Sequence, residues 1–386
     1  MVQECKNEWK RDALICWRRK VLADTAVGRW KENVAKLSAT DSASWNLAKP
    51  IYAPRPLTSP ALEVDGHPLT KRQQAQALTQ MYIHRSTKAP HAPKMEIPST
   101  RRCTFRPITE AELDVALREL SSGTAPGNDE IHCEELKQLG SVSRRCILCL
   151  FNYNLCTGQV QAKWRQGIIV PLLKLNKATS SMASFRPVTL TSTLRKLMAR
   201  VVARRVRDCI EDMLQPQQAG FRPARSTPDT LMHVTRTARR RKDSEKTAAV
   251  FIDYARAFDS VDHGCIVNEL LSFGVGKHLV AWIAGFLQER TATVRVNNVM
   301  SEEGSLAFGV PRSSRLGPLL FIVAVDSVSV RVNCIPGLHD GFFADDRTIE
   351  RMVAHLSEIQ QDKAARIKQH RELVGGVLHG GIGGKD

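Results

Sequence analysis

The sequence predicts an α+β fold, because short apolar stretches typical of strands alternate with longer amphipathic stretches typical of helices. The clearest strand is the run at residues 248–252, which is apolar throughout and ends on Asp253. A second apolar segment, at residues 342–344, is followed at once by Asp345 and Asp346. The prediction of a functional site therefore depends mainly on these two apolar segments, each of which is followed by aspartate.

These aspartates occupy positions that a soluble chain usually avoids. An unpaired charge at the end of a buried strand is costly, so such a carboxylate usually faces a cation or a hydrogen-bond network. For Asp253 alone, a capping or turn role is an equally good interpretation. Thr348 and Ile349 predict that the chain turns back as a hairpin strand after the doublet. Three carboxylates can then converge, and hard oxygen ligands in that number suit Mg²⁺.

The composition predicts a polyanionic partner. The chain has 386 residues, with 56 Lys and Arg against 39 Asp and Glu, which gives a formal net charge of +17. Such a charge raises encounter rates with nucleic acid and makes binding salt-dependent. The longest apolar run, residues 316–325, contains Gly-Pro and is half of the roughly 20 residues that a membrane-spanning helix needs. We therefore expect nucleic acid, and no membrane, as the partner.

The ten cysteines lack regular spacing and predict reduced intracellular thiols. The closest metal-like pattern is Cys146-Ile-Leu-Cys149, with Cys133 and Cys156 nearby. Zinc needs four suitably placed ligands, whereas residues 145–153 predict a helix with its apolar side inward. The eleven histidines show no metal-binding spacing. We therefore expect neither zinc nor a histidine-bound metal.

The N-terminal half begins with charged segments and becomes regular near residue 109. Residues 1–100 contain tryptophan-punctuated helices followed by a proline-rich connector. Thr109 and Glu112 have the spacing of a capping box at the start of a helix. A loop with Gly, Pro and Asn follows at residues 121–131, and residues 164–174 predict a strand.

The second half is predicted to place helices around the strands. Residues 194–210 form a helix whose basic side chains suit a nucleic-acid backbone or an ordinary solvated face. Its inward residues are predicted to be Leu197, Val201, Val202, Val206 and Cys209, and its more polar residues Arg195, Lys196, Arg200, Arg204, Arg205 and Arg207. Residues 276–288 predict another helix, and residues 291–299 predict a hairpin that turns at Asn297-Asn298.

Three stretches of the sequence are candidate motifs. Residues 251–261 are Phe-Ile-Asp-Tyr-Ala-Arg-Ala-Phe-Asp-Ser-Val, and residues 343–346 are Phe-Ala-Asp-Asp. Between them, residues 309–321 are Gly-Val-Pro-Arg-Ser-Ser-Arg-Leu-Gly-Pro-Leu-Leu-Phe. In order and separation they resemble the first, second and third palm motifs of the reverse transcriptases of non-LTR (LINE-type) retrotransposons. The resemblance extends from about residue 105 to residue 350.

This resemblance implies a right-hand polymerase in which helices flank an antiparallel palm sheet. Residues 1–100 would be a helical N-terminal segment and connector, residues 101–245 the fingers, residues 246–350 the palm and residues 351–386 a truncated tail. Neither an upstream endonuclease nor the thumb of the family is recognisable. We therefore expect a truncated copy, or a fragment of a longer product.

The implied activity is RNA-directed DNA polymerase, with an RNA template, a DNA primer and deoxynucleoside triphosphates as partners. Asp253, Asp345 and Asp346 would hold two Mg²⁺ ions, for which Mn²⁺ could substitute. Two such ions about 3.5–4 Å apart clamp the attacking and leaving oxygens of a phosphoryl displacement. The implied location is intracellular and nuclear.

The resemblance also implies residues that bind the incoming nucleotide. Lys174 and Arg186 would lie where the fingers close on the triphosphate, because cations neutralise phosphate oxygens. Without the motif context, either residue alone is more often a solvated surface cation. Phe258 would act as a steric gate against a ribose 2′-hydroxyl, or it is a core phenylalanine. Arg312 would contact the nucleotide, where the family has glutamine.

Two further stretches are candidates for nucleic-acid contact. Residues 218–222 resemble the Gln-x-Gly-Phe-Arg element of the family, whose glycine and arginine, here Gly220 and Arg222, are expected to shape the template cleft. The basic run ahead of the first palm strand consists of Arg239, Arg240, Arg241 and Lys242. Phosphate contact and nuclear localisation are both open interpretations of this run.

Departures from the family pattern leave a second function open. Residues 124–131 resemble the Lys-Ala-Pro-Gly-x-Asp-x-Ile element of the family, with Thr124 in place of its lysine. At position 313 a serine replaces a glycine, and its Cβ, together with Arg312, would crowd the nucleotide pocket. The alternative is a degenerate retrotransposon-derived protein that binds nucleic acid without polymerase activity.

Overall fold

The structure of the chain is a computed structural model. It describes residues 20, 23–24, 27–28, 32, 62–64, 67–83, 105–239, 246–254, 256–311, 314–335, 338–353 and 382–383. For some of these, Asp253 among them, only the backbone is described. Helices and strands combine within them, which confirms the α+β class.

The helices, in chain order, are α1 (Lys71–Tyr82), α2 (Glu110–Arg118), α3 (Cys133–Lys137), α4 (Ser141–Thr157), α5 (Ala162–Arg165), α6 (Thr193–Ile210), α7 (Thr227–Arg239), α8 (His263–Ser272), α9 (Lys277–Leu287) and α10 (Leu316–Asn333). The strands are β1 (Glu63–Val64), β2 (His67–Pro68), β3 (Gln166–Leu173), β4 (Phe185–Thr191), β5 (Lys246–Tyr254), β6 (Arg290–Val296), β7 (Val299–Met300), β8 (Gly304–Leu306), β9 (Leu338–Phe343), β10 (Asp346–Val353) and β11 (Ile382–Gly383).

The carboxylate-bearing strands form one antiparallel sheet in the order β11-β5-β10-β9. β9 and β10 are a hairpin joined by a two-residue turn, Ala344-Asp345, with Phe343 opposite Asp346. One face of this sheet is packed against the protein interior, where Phe342 and Arg347 are each 1% exposed. Phe251 is 78% exposed, so the strands separate an inner from an outer face as alternation requires.

A second sheet has the order β4-β3-β6-β7, with β8 also paired to β6. β3 and β4 are antiparallel, whereas β3 and β6 are parallel. Helix α1 packs on β6, and its Ala75 and Leu78 join a small core with Ile169 and Val294. The predicted turn at Asn297-Asn298 is present between β6 and β7.

The main core is built around α10, which packs against α6 and α8. Residues 316–325 alone suggest a segment too short to span a membrane, but the helix continues to Asn333. Pro318 is the third residue of the helix, where its missing N–H needs no partner, so it does not end the helix. Within the described residues, α10 alone is long and apolar enough to cross a membrane, yet 72% of it is buried inside the protein. It is the central helix of the core.

The basic face expected on α6 is only partly present, because Arg195 and Arg205 are buried in internal contacts. Nη1 of Arg195 donates to the carbonyl of Trp164 at 2.8 Å, and Arg205 forms an ion pair with Glu112 at 2.7 Å. Arg200 and Arg204 both pair with Glu119. Cys209, expected to point inward, is exposed.

Candidate active site

The sheet register brings the predicted aspartates together at one end of the sheet. Asp253, near the end of β5, is the register partner of Asp346, the first residue of β10. Directly opposed residues in an antiparallel pair have Cα atoms about 4.5–5.5 Å apart. Asp345 precedes Asp346 in the β9–β10 turn. Two segments that are far apart in the sequence thus bring the backbones of three acidic residues within a few ångströms of one another.

The donor chemistry at this end of the sheet fits a divalent ion. The Asp345 side chain is half-buried and that of Asp346 is exposed, so both are accessible to solvent. Mg²⁺ prefers carboxylates together with waters and substrate phosphates over an all-protein cage. No group of three potential ligands that could hold a metal occurs among the described side chains, which do not include that of Asp253.

The Gln218–Arg222 stretch lies directly against the aspartate-bearing turn. A Cβ on Gly220 would approach the backbone N of Ala344 to 2.0 Å, so only glycine fits there. Arg222 is 8% exposed and forms an ion pair with Glu211 at 2.8 Å. It also donates to the carbonyls of Gln215, Gln218 and Glu211. This internal bonding favours a role for Arg222 in holding the loop over direct contact with nucleic acid.

Phe258 lies at the junction of the main core and the Gly309–Pro311 loop. Its ring stacks on Phe321 with centroids 4.5 Å apart and meets Phe221 edge-on at 5.8 Å. The backbone N of Val310 donates to the carbonyl of Phe258 at 2.7 Å. Phe258 is 7% exposed, which agrees with the core interpretation, and its role as a gate stays a prediction.

The Gly309 carbonyl is held by two buried side chains that the sequence did not single out. Nη1 of Arg290 donates to it at 2.5 Å, and Nε2 of His263 lies 2.8 Å from it. Burial lowers the pKa of His263 to about 4, so the ring is neutral and donates its Nε2 proton to this oxygen. Burial also lowers the pKa of Arg290, to about 10. These contacts fix the start of the loop that leads to Arg312 and Ser313, which lie outside the described residues.

Gly309 and Gly127 are glycines for steric reasons. Gly309 has φ +79°, and a Cβ there would meet the backbone of Asp259 at 2.7 Å. A Cβ on Gly127 would lie 2.3 Å from the backbone C of Thr191. Close by, the carboxylate of Asp129 accepts from the Ser192 hydroxyl at 2.7 Å and from the backbone N of Thr193 at 2.9 Å. The Ala-Pro-Gly loop is thereby fastened to the start of α6.

Lys174 and Arg186 lie together at the loop end of the β3–β4 hairpin. Arg186 is the register partner of Leu172, and Lys174 follows directly after β3. Nζ of Lys174 donates to the carbonyl of Ala183 at 2.8 Å, which closes the connecting loop. Arg186 is exposed. The structure places both residues at this end of the hairpin, and their contact with a triphosphate stays a prediction.

The basic run of Arg239, Arg240, Arg241 and Lys242 lies almost wholly outside the described residues. Arg239 is the last residue of α7, and its side chain is outside the description. Arg240, Arg241 and Lys242 lie beyond the described residues, so phosphate contact and nuclear localisation by this run stay predictions.

Sequence reasoning missed Gln218, His263 and Arg290 as supports of the site. Gln218 is 2% exposed and accepts from two backbone N–H groups. Arg290 is the first residue of β6 and His263 is the first residue of α8. In the sequence, each therefore resembles an ordinary polar residue at the start of a helix or strand. Their shared acceptor, the Gly309 carbonyl, is contributed by a distant loop, and no local pattern signals it.

Comparison with known proteins shows which family of proteins this chain is similar to. A family described as reverse transcriptase (RNA-dependent DNA polymerase) matches residues 175–369. The chain is similar to a probable RNA-directed DNA polymerase from transposon BS of Drosophila melanogaster, with 27% identity over 79% of this chain and 35% of that protein. Over 76% of this chain and 33% of the relative, it is 26% identical to the RNA-directed DNA polymerase from mobile element jockey of the same species. It is 30% identical, over 59% of this chain and 25% of the relative, to a probable RNA-directed DNA polymerase from transposon X-element, also of that species. The chain thus spans about a third or less of the length of these relatives.

Proposed function

The chain belongs to the reverse transcriptase family, and on this premise we propose that it is the polymerase core of a non-LTR retrotransposon, acting as an RNA-directed DNA polymerase. The observation that carries the proposal is the register pairing of Asp253 with Asp346 beside Asp345. A capping role for Asp253 would not require an acidic doublet opposite it.

In this proposal the four-stranded sheet is the palm, and the β3–β4 hairpin belongs to the fingers. Asp253, Asp345 and Asp346 would hold two Mg²⁺ ions, with Mn²⁺ as a substitute. When bound, such ions stabilise negative charge on the attacking and leaving oxygens of nucleotidyl transfer. The substrates are an RNA template, a DNA primer and deoxynucleoside triphosphates.

The other site residues of the chain act by binding and shaping. Lys174 and Arg186 would neutralise triphosphate oxygens, which lowers the cost of bringing that charge to the site. Phe258 would limit the space for a ribose 2′-hydroxyl. The bonds from His263 and Arg290 to Gly309 would keep the adjoining loop in one conformation. Positioning and charge neutralisation carry most of such a reaction.

Primer extension on an RNA template with Mg²⁺ tests the function. Asp345→Asn should reduce deoxynucleotide incorporation by at least about a hundredfold, because one ligand carboxylate is lost. The matched control is Asp208→Asn, which alters an exposed aspartate on α6 and should incorporate at the wild-type rate. Equal primer extension by the wild type and Asp345→Asn would refute the assignment of Asp345 as a catalytic residue.

If the wild type incorporates no deoxynucleotide, a measurement of RNA binding tests the alternative function. A chain that retains RNA in a salt titration and incorporates nothing would support the degenerate binding protein instead. Restoring the family residues with Arg312→Gln and Ser313→Gly should then rescue synthesis if pocket crowding is the fault.

A further inference from the structure

The turn that carries Asp345 is held by a second segment of the chain, residues 217–222, which we name the clamp segment. We propose that Gln218 in the clamp segment is a positioning residue for the Asp345 carboxylate. The inference rests on the proposed function, in which Asp345 binds a divalent ion. Gln218 acts through the backbone of the turn and does not touch the reacting atoms.

The turn needs support because its first residue is strained. Ala344 has φ +61°, in the left-handed region that residues with a Cβ rarely adopt. Such a conformation costs of the order of 1–3 kcal/mol and persists only where the surroundings fix it. A turn without external contacts would relax, and Asp345 would move with it.

The side-chain amide of Gln218 supplies the contact at the strained residue itself. Its Oε1 accepts from the backbone N of Ala344 at 3.3 Å and from the backbone N of Gly220 at 2.8 Å. One buried oxygen therefore ties the turn to the clamp segment. Without this acceptor, the N–H of Ala344 would lose its hydrogen-bond partner in a buried place.

The clamp segment is itself rigidly placed. Its backbone bonds to β9 on both sides of Phe342: the N of Ala219 donates to the Phe342 carbonyl at 3.0 Å, and the N of Phe342 donates to the Gln217 carbonyl at 3.1 Å. Nη1 of Arg222 donates to the carbonyl of Gln218 at 3.3 Å. Gln218 therefore presents its oxygen from a fixed backbone, as a positioning residue must.

The consequence for catalysis is geometric. Reacting groups must be held close to their productive positions, and a misplacement of about 1 Å can cost about a hundredfold in rate. Loss of the Gln218 oxygen should therefore lower the affinity for the ion and the rate of the chemical step. Nucleotide affinity should change little, since Lys174 and Arg186 lie on another hairpin.

The test compares Gln218→Met with Gln217→Met. The control is matched because Gln217 reaches β9 through its backbone, and its side-chain Oε1 is buried without a hydrogen-bond partner among the described residues. Hydrogen exchange at the Ala344 amide, Mn²⁺ affinity by electron paramagnetic resonance, thermal unfolding, and kcat and KM for deoxynucleotide incorporation are measured for both.

For Gln218→Met we expect exchange at Ala344 to be about tenfold faster, with weaker Mn²⁺ binding. We expect kcat to be lower by about tenfold to a hundredfold, with KM for the nucleotide within about twofold. Gln217→Met should match the wild type in all of these. Gln218→Glu keeps an acceptor oxygen and should keep the Ala344 amide protected, which decides the question if the methionine variant fails to fold.

The proposal is overturned if Gln218→Met leaves Ala344 exchange and Mn²⁺ affinity equal to those of Gln217→Met. It is also overturned if Gln218→Glu loses amide protection as fully as Gln218→Met does. A wild type that incorporates no nucleotide would count against the proposed function alone, because exchange and Mn²⁺ affinity still report whether Gln218 positions the turn.

Discussion

Replacing Arg347 tests how the acidic doublet is supported from beneath the sheet. Arg347 follows Asp346 directly but lies on the buried face, where it pairs with Asp340 at 2.9 Å and both side chains are 0% exposed. Its guanidinium also lies 4.2 Å from the centroid of the Phe342 ring. The pair joins β10 to β9 immediately behind the turn.

The expected cost follows from the complete burial of this pair. Removing one partner of a buried ion pair costs about 3–5 kcal/mol, because the remaining charge is left uncompensated. We therefore expect Arg347→Met and Asp340→Leu each to lower the free energy of unfolding by about that amount. Oδ1 of Asp340 has no hydrogen-bond partner among the described residues, so the pair is incompletely satisfied. The double variant should thus be more stable than either single variant.

Urea denaturation of the wild type, the two single variants and the double variant measures this prediction as a double-mutant cycle. A coupling energy of about 2 kcal/mol or more is expected, given the cost of each lone charge. If the two single losses simply add in the double variant, the ion pair does not stabilise β10 against β9 and the reasoning fails. A loss below about 1 kcal/mol in Arg347→Met would also refute it, because that is the range of exposed pairs.

Three other predictions concern packing and pH. Gly220→Ala should lower the free energy of unfolding by about 1–3 kcal/mol, since its Cβ would lie 2.0 Å from the N of Ala344; an unchanged urea midpoint would contradict this. Burial lowers the pKa of His263 from 6.5 to about 4, so its contribution to stability is present above about pH 6.5 and lost as pH falls towards 4. His263→Gln should therefore show a flatter dependence of stability on pH in that window, and parallel curves would contradict the assignment. Hydrogen bonding to Arg205 lowers the pKa of Glu112 from 4.5 to about 2, so this stabilisation is present above about pH 4.5 and lost as pH falls through 2. With allowance for solvent screening, Glu112→Gln should lose about 1–2 kcal/mol at pH 7 and little near pH 2, by denaturation at both pH values.

Elements with a local signal were predictable from the sequence. The capping box of Thr109 and Glu112 forms as expected, with the two reciprocal hydrogen bonds at 3.3 and 2.9 Å. The strand that carries the first aspartate near its end and the hairpin at the doublet are also present, because each depends on apolar pattern and turn chemistry within a few residues. The convergence of the aspartates was predicted from the two acidic strand ends.

Features that depend on distant partners were not predictable. Arg195 and Arg205 have the sequence of a solvated helix face, but Trp164 and Glu112 offer them partners from elsewhere in the chain. The apolar run at residues 316–325 is shorter than α10, because the helix continues through the mixed residues that follow to Asn333, and Pro318 lies in its first turn, where a proline is tolerated. Periodicity is a property of one segment, whereas the burial of its side chains depends on the other segments that pack against it.

The two-residue connection between β9 and β10 makes the number of residues there matter as much as their identity. Side chains alternate along a strand, so a length change between Phe343 and Asp346 that keeps a two-residue turn shifts the pairing by one step and exchanges the two faces of β10. Asp346 would then turn towards the interior, and the guanidinium of Arg347 would leave Asp340 for solvent. A single-codon insertion or deletion that causes this shift would therefore disable chemistry and folding in one event, whereas a substitution can affect one without the other.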